Sequence, residues 1–123
     1  MHKIRIRSGN RHWEAVLNTS VTAASLMEAL PLTGVVNTWG AEIYFSIPLQ
    51  VQLEPDACEE VPVGTLAYWP PGSAFCIFFG QTPASESDMP KAASKVNILG
   101  SIRSGLDELK SVKEGEVIEI LAL

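Results

Sequence analysis

The chain has 123 residues, 46% of them apolar, and a net charge of −5. That is enough apolar content for one well-formed core and too much for a disordered chain. All nine Lys and Arg lie at or before Arg11 or at or after Lys91, and the stretch between carries nine acids and no base. Such a surface repels phosphate, so nucleic acid and anionic membranes are excluded as partners.

KIRIR (3–7) alternates, with Ile4 and Ile6 on one face and Lys3, Arg5 and Arg7 on the other. Ser8-Gly9-Asn10 is a turn, and HWEAVL (12–17) completes a hairpin. Asn18, Thr19 and Ser20 supply helix-cap chemistry, and Ala23, Leu26, Met27 and Leu30 form the apolar stripe of a short helix that Pro31 ends. GVVNTWG (34–40), EIYFSIP (42–48) and LQVQL (49–53) are strand candidates. In the second, Glu42, Tyr44 and Ser46 share a face that either lines a site or meets water.

EPDACEEVPVG (54–64) reads as a loop, TLAYW (65–69) as a strand, PPGS as a turn and AFCIFFG (74–80) as a strand buried on both sides. QTPASESDMPKAAS (81–94) is a long, functional or mobile loop, and VNILGSI (96–102) returns as a strand. Ser104 to Asp107 has capping-box spacing ahead of a short helix with Leu106, Leu109 and Val112 inside, and VIEILAL (117–123) closes the chain as a strand. The expected fold is mostly β: one domain over 1–123, a closed antiparallel barrel of about eight strands with two short helices capping its ends. Because a barrel of about eight strands fills its interior with side chains, a ligand binds outside it or at a rim.

No apolar run is long enough to span a bilayer, and MHKIRIRSGN lacks the apolar core of a secretory leader, so a cytoplasmic setting is expected. Cys76 reads as a small buried hydrophobe, and Cys58, among acids in EPDACEE, as a poor nucleophile. His2 and His12 have no Cys or carboxylate at ligand spacing, and no phosphate loop, dinucleotide fingerprint or nucleophile elbow occurs. No metal, cofactor or catalytic residue is assigned.

Local sequence resembles the cyclophilins. NILGSIRSGLDELKSV (97–112) resembles the segment in which a cyclophilin strand passes through Leu-Gly into a Gly-Leu-Asp helix. GSAFCIFF (72–79) resembles the Gly-Ser-Gln-Phe-Phe-Ile strand, and residues 3–30 resemble the opening hairpin and helix. Ala-Tyr-Trp-Pro-Pro-Gly, Ile-Phe-Phe-Gly-x-Thr-Pro and Val-Asn-x-x-Gly look like the signature of a small prokaryotic group of cyclophilin-like proteins. The resemblance implies a prolyl isomerase scaffold. Cyclophilin isomerases place an arginine after the first helix, whereas residues 32–48 hold no Arg, Lys or His, and Ala74 stands where the family has glutamine.

An aromatic cleft is therefore expected, without the isomerase's chemistry. Tyr68, Trp69, Pro70 and Phe78 form its wall, with Thr82 and Pro83 leading into a rim loop and Glu42 and Tyr44 beside it. Trp39 and Asn97 join by family likeness. The competing role for these aromatics is to plug the barrel ends. The expected partner is a small apolar molecule or an extended peptide. A weak isomerase with a relocated donor (Arg5, Arg7 or Arg103) and a homo-oligomeric scaffold are the alternatives.

Overall fold

The opening hairpin sets the pattern for the whole chain. In the computed structural model, which describes residues 2–123, β1 (Lys3–Ser8) pairs with β2 (Arg11–Leu17) so that Ile4 faces Ala15 and Ile6 faces Trp13. All four are buried, while Lys3 and Arg7 remain exposed. Helix α1 (Val21–Ala29) follows, with Ser20 as its N-cap: the Ser20 Oγ accepts the Ala23 N–H, and Ala23 and Leu26 enter the core.

The remaining strands are β3 (Leu32–Val35), β4 (Asn37–Thr38), β5 (Glu42–Ser46), β6 (Cys58–Glu60), β7 (Thr65–Trp69), β8 (Ala74–Phe78), β9 (Lys91–Ile102) and β10 (Val117–Ala122). Every pairing is antiparallel, in the order β3-β10-β1-β2-β9-β7-β8-β5-β4, and β6 pairs with β9 off this path.

The hydrogen-bonded ladder does not close as expected. Its two edge strands, β3 and β4, are consecutive in the chain with Val36 between them. Val36 gives its N–H to the Glu116 carbonyl and its own carbonyl accepts the Gly115 N–H, so the residue between the two edges bonds toward the β10 side. The edges are thus joined by covalent chain and not by a ladder.

Four expected elements differ. EPDACEEVPVG is not all loop, because Cys58–Glu60 forms β6 against β9. LQVQL is no strand, despite its alternation. Its backbone is held by side chains: the Leu49 carbonyl accepts the Tyr68 hydroxyl at 2.6 Å, and the Gln52 carbonyl accepts Asn97 Nδ2 at 2.9 Å. The segment after Ser104 is a 3-10 turn, Leu106–Ser111. It begins at Gly105 in the left-handed region (φ 74°) without a side-chain cap, and six residues are too few for a stable α-helix on their own. The long loop ends at Pro90, because β9 begins at Lys91, where Glu60 of β6 is its partner.

Two apolar layers sit on opposite faces of the sheet. The larger contains Ile4, Ile6, Trp13, Leu26, Phe45, Leu66, Tyr68, Phe75 and Ile77, with the Phe45 and Phe75 rings stacked at 5.3 Å. The smaller contains Val61, Ala67, Ala74, Cys76, Phe78, Ala92 and Val96. Strict alternation along β7 and β8 feeds both, so these strands are buried on both faces.

Asn97 is fully buried and joins three elements. Its Oδ1 accepts the Glu54 N–H at 2.8 Å, and its Nδ2 donates to the Gln52 carbonyl at 2.9 Å and Thr22 Oγ1 at 3.1 Å. Asn97→Ala strands these buried partners and is expected to cost about 2–3 kcal/mol, read as a lower urea midpoint with an unchanged slope.

Candidate functional site

A tight turn fixes two side chains at once. Trp39 gives its N–H to the Glu42 carbonyl at 3.0 Å, and Glu42 returns its own to the Trp39 carbonyl at 3.2 Å. Gly40 sits at the tip with φ +60°, and a Cβ there would meet Gln81 O, Pro83 Cδ and Thr82 Cα, each at 2.9 Å. The 79–83 segment clamps this turn further, with Ala41 bonded to both Phe79 and Gln81 at 2.9 Å. The turn hands the chain directly to β5, where Glu42 stands opposite Phe78 and Tyr44 opposite Cys76. Directly opposed residues share a face, so Glu42 and Tyr44 join the smaller apolar layer.

There they meet Trp69 and one side of β9. Trp39, Glu42, Tyr44, Trp69, Ala92, Ala93 and Val96 enclose a pocket of about 250 Å3. Trp69 is fixed at both ends of its ring: Nε1 donates to Ser94 Oγ at 2.7 Å, and the six-membered ring lies so close over Gly72 that a Cβ there would approach it to 2.9 Å. Cys76 and Phe78 lie in the buried layer behind this wall.

Of the residues expected to form a cleft, Trp39, Glu42, Tyr44 and Trp69 come together. The structure places the others elsewhere. Tyr68 points to the opposite face, 1% exposed, because alternation sends Leu66 and Tyr68 into the larger core. Asn97 belongs to the tie described above. Thr82 and Pro83 pack under the Trp39–Glu42 turn, with Thr82 Oγ1 bonded to the Lys91 carbonyl. Pro70 opens the 3-10 turn after Trp69 and is half-buried. Ser46, on the same face as Glu42, is exposed.

Ala92, Ala93 and Val96 were not anticipated. They lie where the sequence reads as loop and strand start, and the pairing of β9 with β7 and β6, with the Trp69–Ser94 bond, brings them to the pocket.

Glu42 is 6% exposed. Burial raises its carboxyl pKa to about 7, and a hydrogen bond from the Cys76 thiol opposes that rise in part. The thiol has one proton and two acceptors in reach, Glu42 and the Ala74 carbonyl at 3.8 Å. Burial and the neighbouring carboxylate keep Cys76 protonated, well above the ordinary thiol range. Cys58 is raised as well, by burial first and then by Asp56, which opposes thiolate chemistry there.

Among the described residues no Arg, Lys or His lines the pocket. Arg5 and Arg7 pair with Glu14 at 3.8 Å and Glu119 at 3.0 Å. Arg103 borders a separate depression with Lys3, Glu14 and Ser101. Among the described residues, no three His, Cys, Asp or Glu side chains converge as a metal site would require.

A cyclophilin-like family model matches residues 2–121, and the chain belongs to that family. It is similar to a hypothetical protein from Archaeoglobus fulgidus, whose solution structure aligns with a TM-score of 0.82 at 34% identity over 99% of this chain and 95% of the other. No curated protein matches the chain.

The raised Glu42 pKa carries a stability consequence. The folded state binds the proton more tightly than the unfolded state, whose carboxyl titrates near 4.5. This group therefore favours folding fully below pH 4.5, and that contribution is lost as pH rises through about 7. A difference of this size is worth roughly 3 kcal/mol. Glu42→Gln is expected to match the parent near pH 4.5 and exceed it by up to about 3 kcal/mol at pH 8. Urea unfolding of both proteins across that range checks it.

Proposed function

We propose that this domain binds a small organic molecule in the pocket between the Trp39–Glu42 turn, Trp69 and β9, and that it does so without prolyl isomerase chemistry. One observation carries the reading: three aromatic side chains and one buried carboxyl converge on a single concave site with no basic residue in its lining. Apolar walls with a few placed polar groups are the usual make-up of a ligand site.

Size and charge argue against the isomerase. At about 30 Å3 for each water-sized group, a pocket of about 250 Å3 takes on the order of eight non-hydrogen atoms. That suits a small molecule better than an extended peptide. Rotation about the prolyl bond faces a barrier of about 18–20 kcal/mol, and the family's isomerases lower it with an arginine. Here the guanidiniums of Arg5 and Arg7 are engaged with acids elsewhere, and Arg103 lies at another depression. Among the described residues no helix is long and apolar enough to cross a membrane, and a cytoplasmic metabolite is the proposed ligand source.

Fragments of about six to twelve non-hydrogen atoms, screened by thermal shift and tryptophan fluorescence, test the reading. A binder at about a hundred times its Kd adds roughly 3 kcal/mol of stability, a shift of several degrees. Ala93 is exposed on the pocket rim, so Ala93→Trp is expected to abolish these shifts while leaving circular dichroism unchanged. Fragments that shift parent and variant alike, or none that shift the parent, defeat the proposal. A protease-coupled prolyl peptide assay is expected to stay at the uncatalysed rate.

A further inference from the structure

We infer that the ligand of this pocket is a small organic cation, a quaternary or methylated ammonium, held by Trp39, Tyr44 and Trp69 around its apolar shell and by the Glu42 carboxylate as counter-ion. This rests on the small-molecule reading above and names the chemical class.

The lining itself supports this choice. Aromatic rings present electron-rich faces that attract cations, most strongly where water is excluded. Three such rings border one site here. One of them, Trp69, is held before any ligand arrives, by Ser94 and the close floor at Gly72, and the backbone that carries Trp39 is set by reciprocal turn bonds to Glu42. A pre-set wall reduces the ordering cost of binding.

Glu42 supplies the sign. It is 94% shielded from solvent, and no side chain of this protein offers it a positive charge. The groups that face it can be named by element. Tyr44 lies on its own strand, Cys76 on β8 stays protonated, and Trp39 closes the turn. On β9, Lys91 is committed to Glu59 and Glu86, and Lys95 is exposed. The 79–83 segment, which packs against the turn, carries no charged side chain.

A buried carboxylate without a counter-ion is costly, and an incoming cation removes that cost. A neutral or anionic ligand does not. Binding then draws the carboxyl to its ionised form and releases its proton to the buffer, about 0.9 per site at pH 6 and about 0.1 at pH 8. Because the empty site titrates near pH 7, apparent affinity for a cation rises between pH 6 and pH 8, by about tenfold if only the ionised form binds. A ligand carboxylate would show the opposite slope.

Choline and its uncharged isostere 3,3-dimethylbutan-1-ol separate these cases, because they share shape and differ in charge. Isothermal titration is run at pH 6 and pH 8, in two buffers of different ionisation enthalpy. Choline is expected to bind at least tenfold more tightly than the isostere at pH 8, to lose about tenfold at pH 6, and to release protons. Glu42→Gln, which keeps shape and is expected to fold at least as stably, abolishes the pH dependence and weakens choline binding at pH 8, leaving only the preference that the three rings supply. An isostere that binds as well as choline, or a choline affinity indifferent to Glu42→Gln, overturns the cation assignment and leaves the pocket reading standing. Choline failing while neutral fragments still bind, blocked by Ala93→Trp, does the same. Failure of every probe overturns both.

Discussion

Strands β7 and β8 are apolar on both faces, and the rest of the structure answers that constraint. Leu66, Tyr68, Phe75 and Ile77 build the main core, and Ala67, Ala74, Cys76 and Phe78 demand a second cover on the other side. Leaving those side chains in water forgoes roughly 1.5–3 kcal/mol for each large one. The N-terminal part of β9 and β6 supply much of that cover, with the 79–90 segment packed beside them. The pocket lies where this second layer is incomplete, between the Trp39–Glu42 turn and Ala92–Val96.

That origin explains how the walls of the site are braced. Its aromatic walls belong to strands and turns whose backbone bonds are already committed to the sheet, not to a free loop. The turn carrying Trp39 and Glu42 is braced by Gln81, Thr82 and Pro83, and Trp69 by Ser94 and Gly72. Residues expected to touch a ligand, such as Thr82 and Pro83, serve instead to hold the residues that line the pocket.

Glu42 is the one costly feature in this arrangement. Burying a carboxyl beside a thiol that must also stay protonated destabilises the charged form of both. A buried carboxyl with a perturbed pKa on the wall of a pocket is a candidate for function. In this chain the acidic middle of the sequence carries through to a pocket that, among the described residues, is lined by Glu42 and by no Arg, Lys or His.

Much of the fold was legible in the chain itself. The KIRIR alternation, the Ser20 cap, the doubly apolar AFCIFF run and the family signature are local patterns, and local patterns survive folding. Aromatic positions around Trp39 and Trp69 were legible as candidates for the same reason. The sequence by itself determined a mostly antiparallel β domain of the cyclophilin-like family with no basic group in its middle. Tertiary structure alone decided that LQVQL is no strand, that β3 and β4 leave the ladder open at Val36, that Tyr68 faces the core, and that Ala92, Ala93 and Val96 reach the pocket. Each of these depends on which distant segment supplies a hydrogen-bond partner or a covering surface, and no local periodicity encodes that choice.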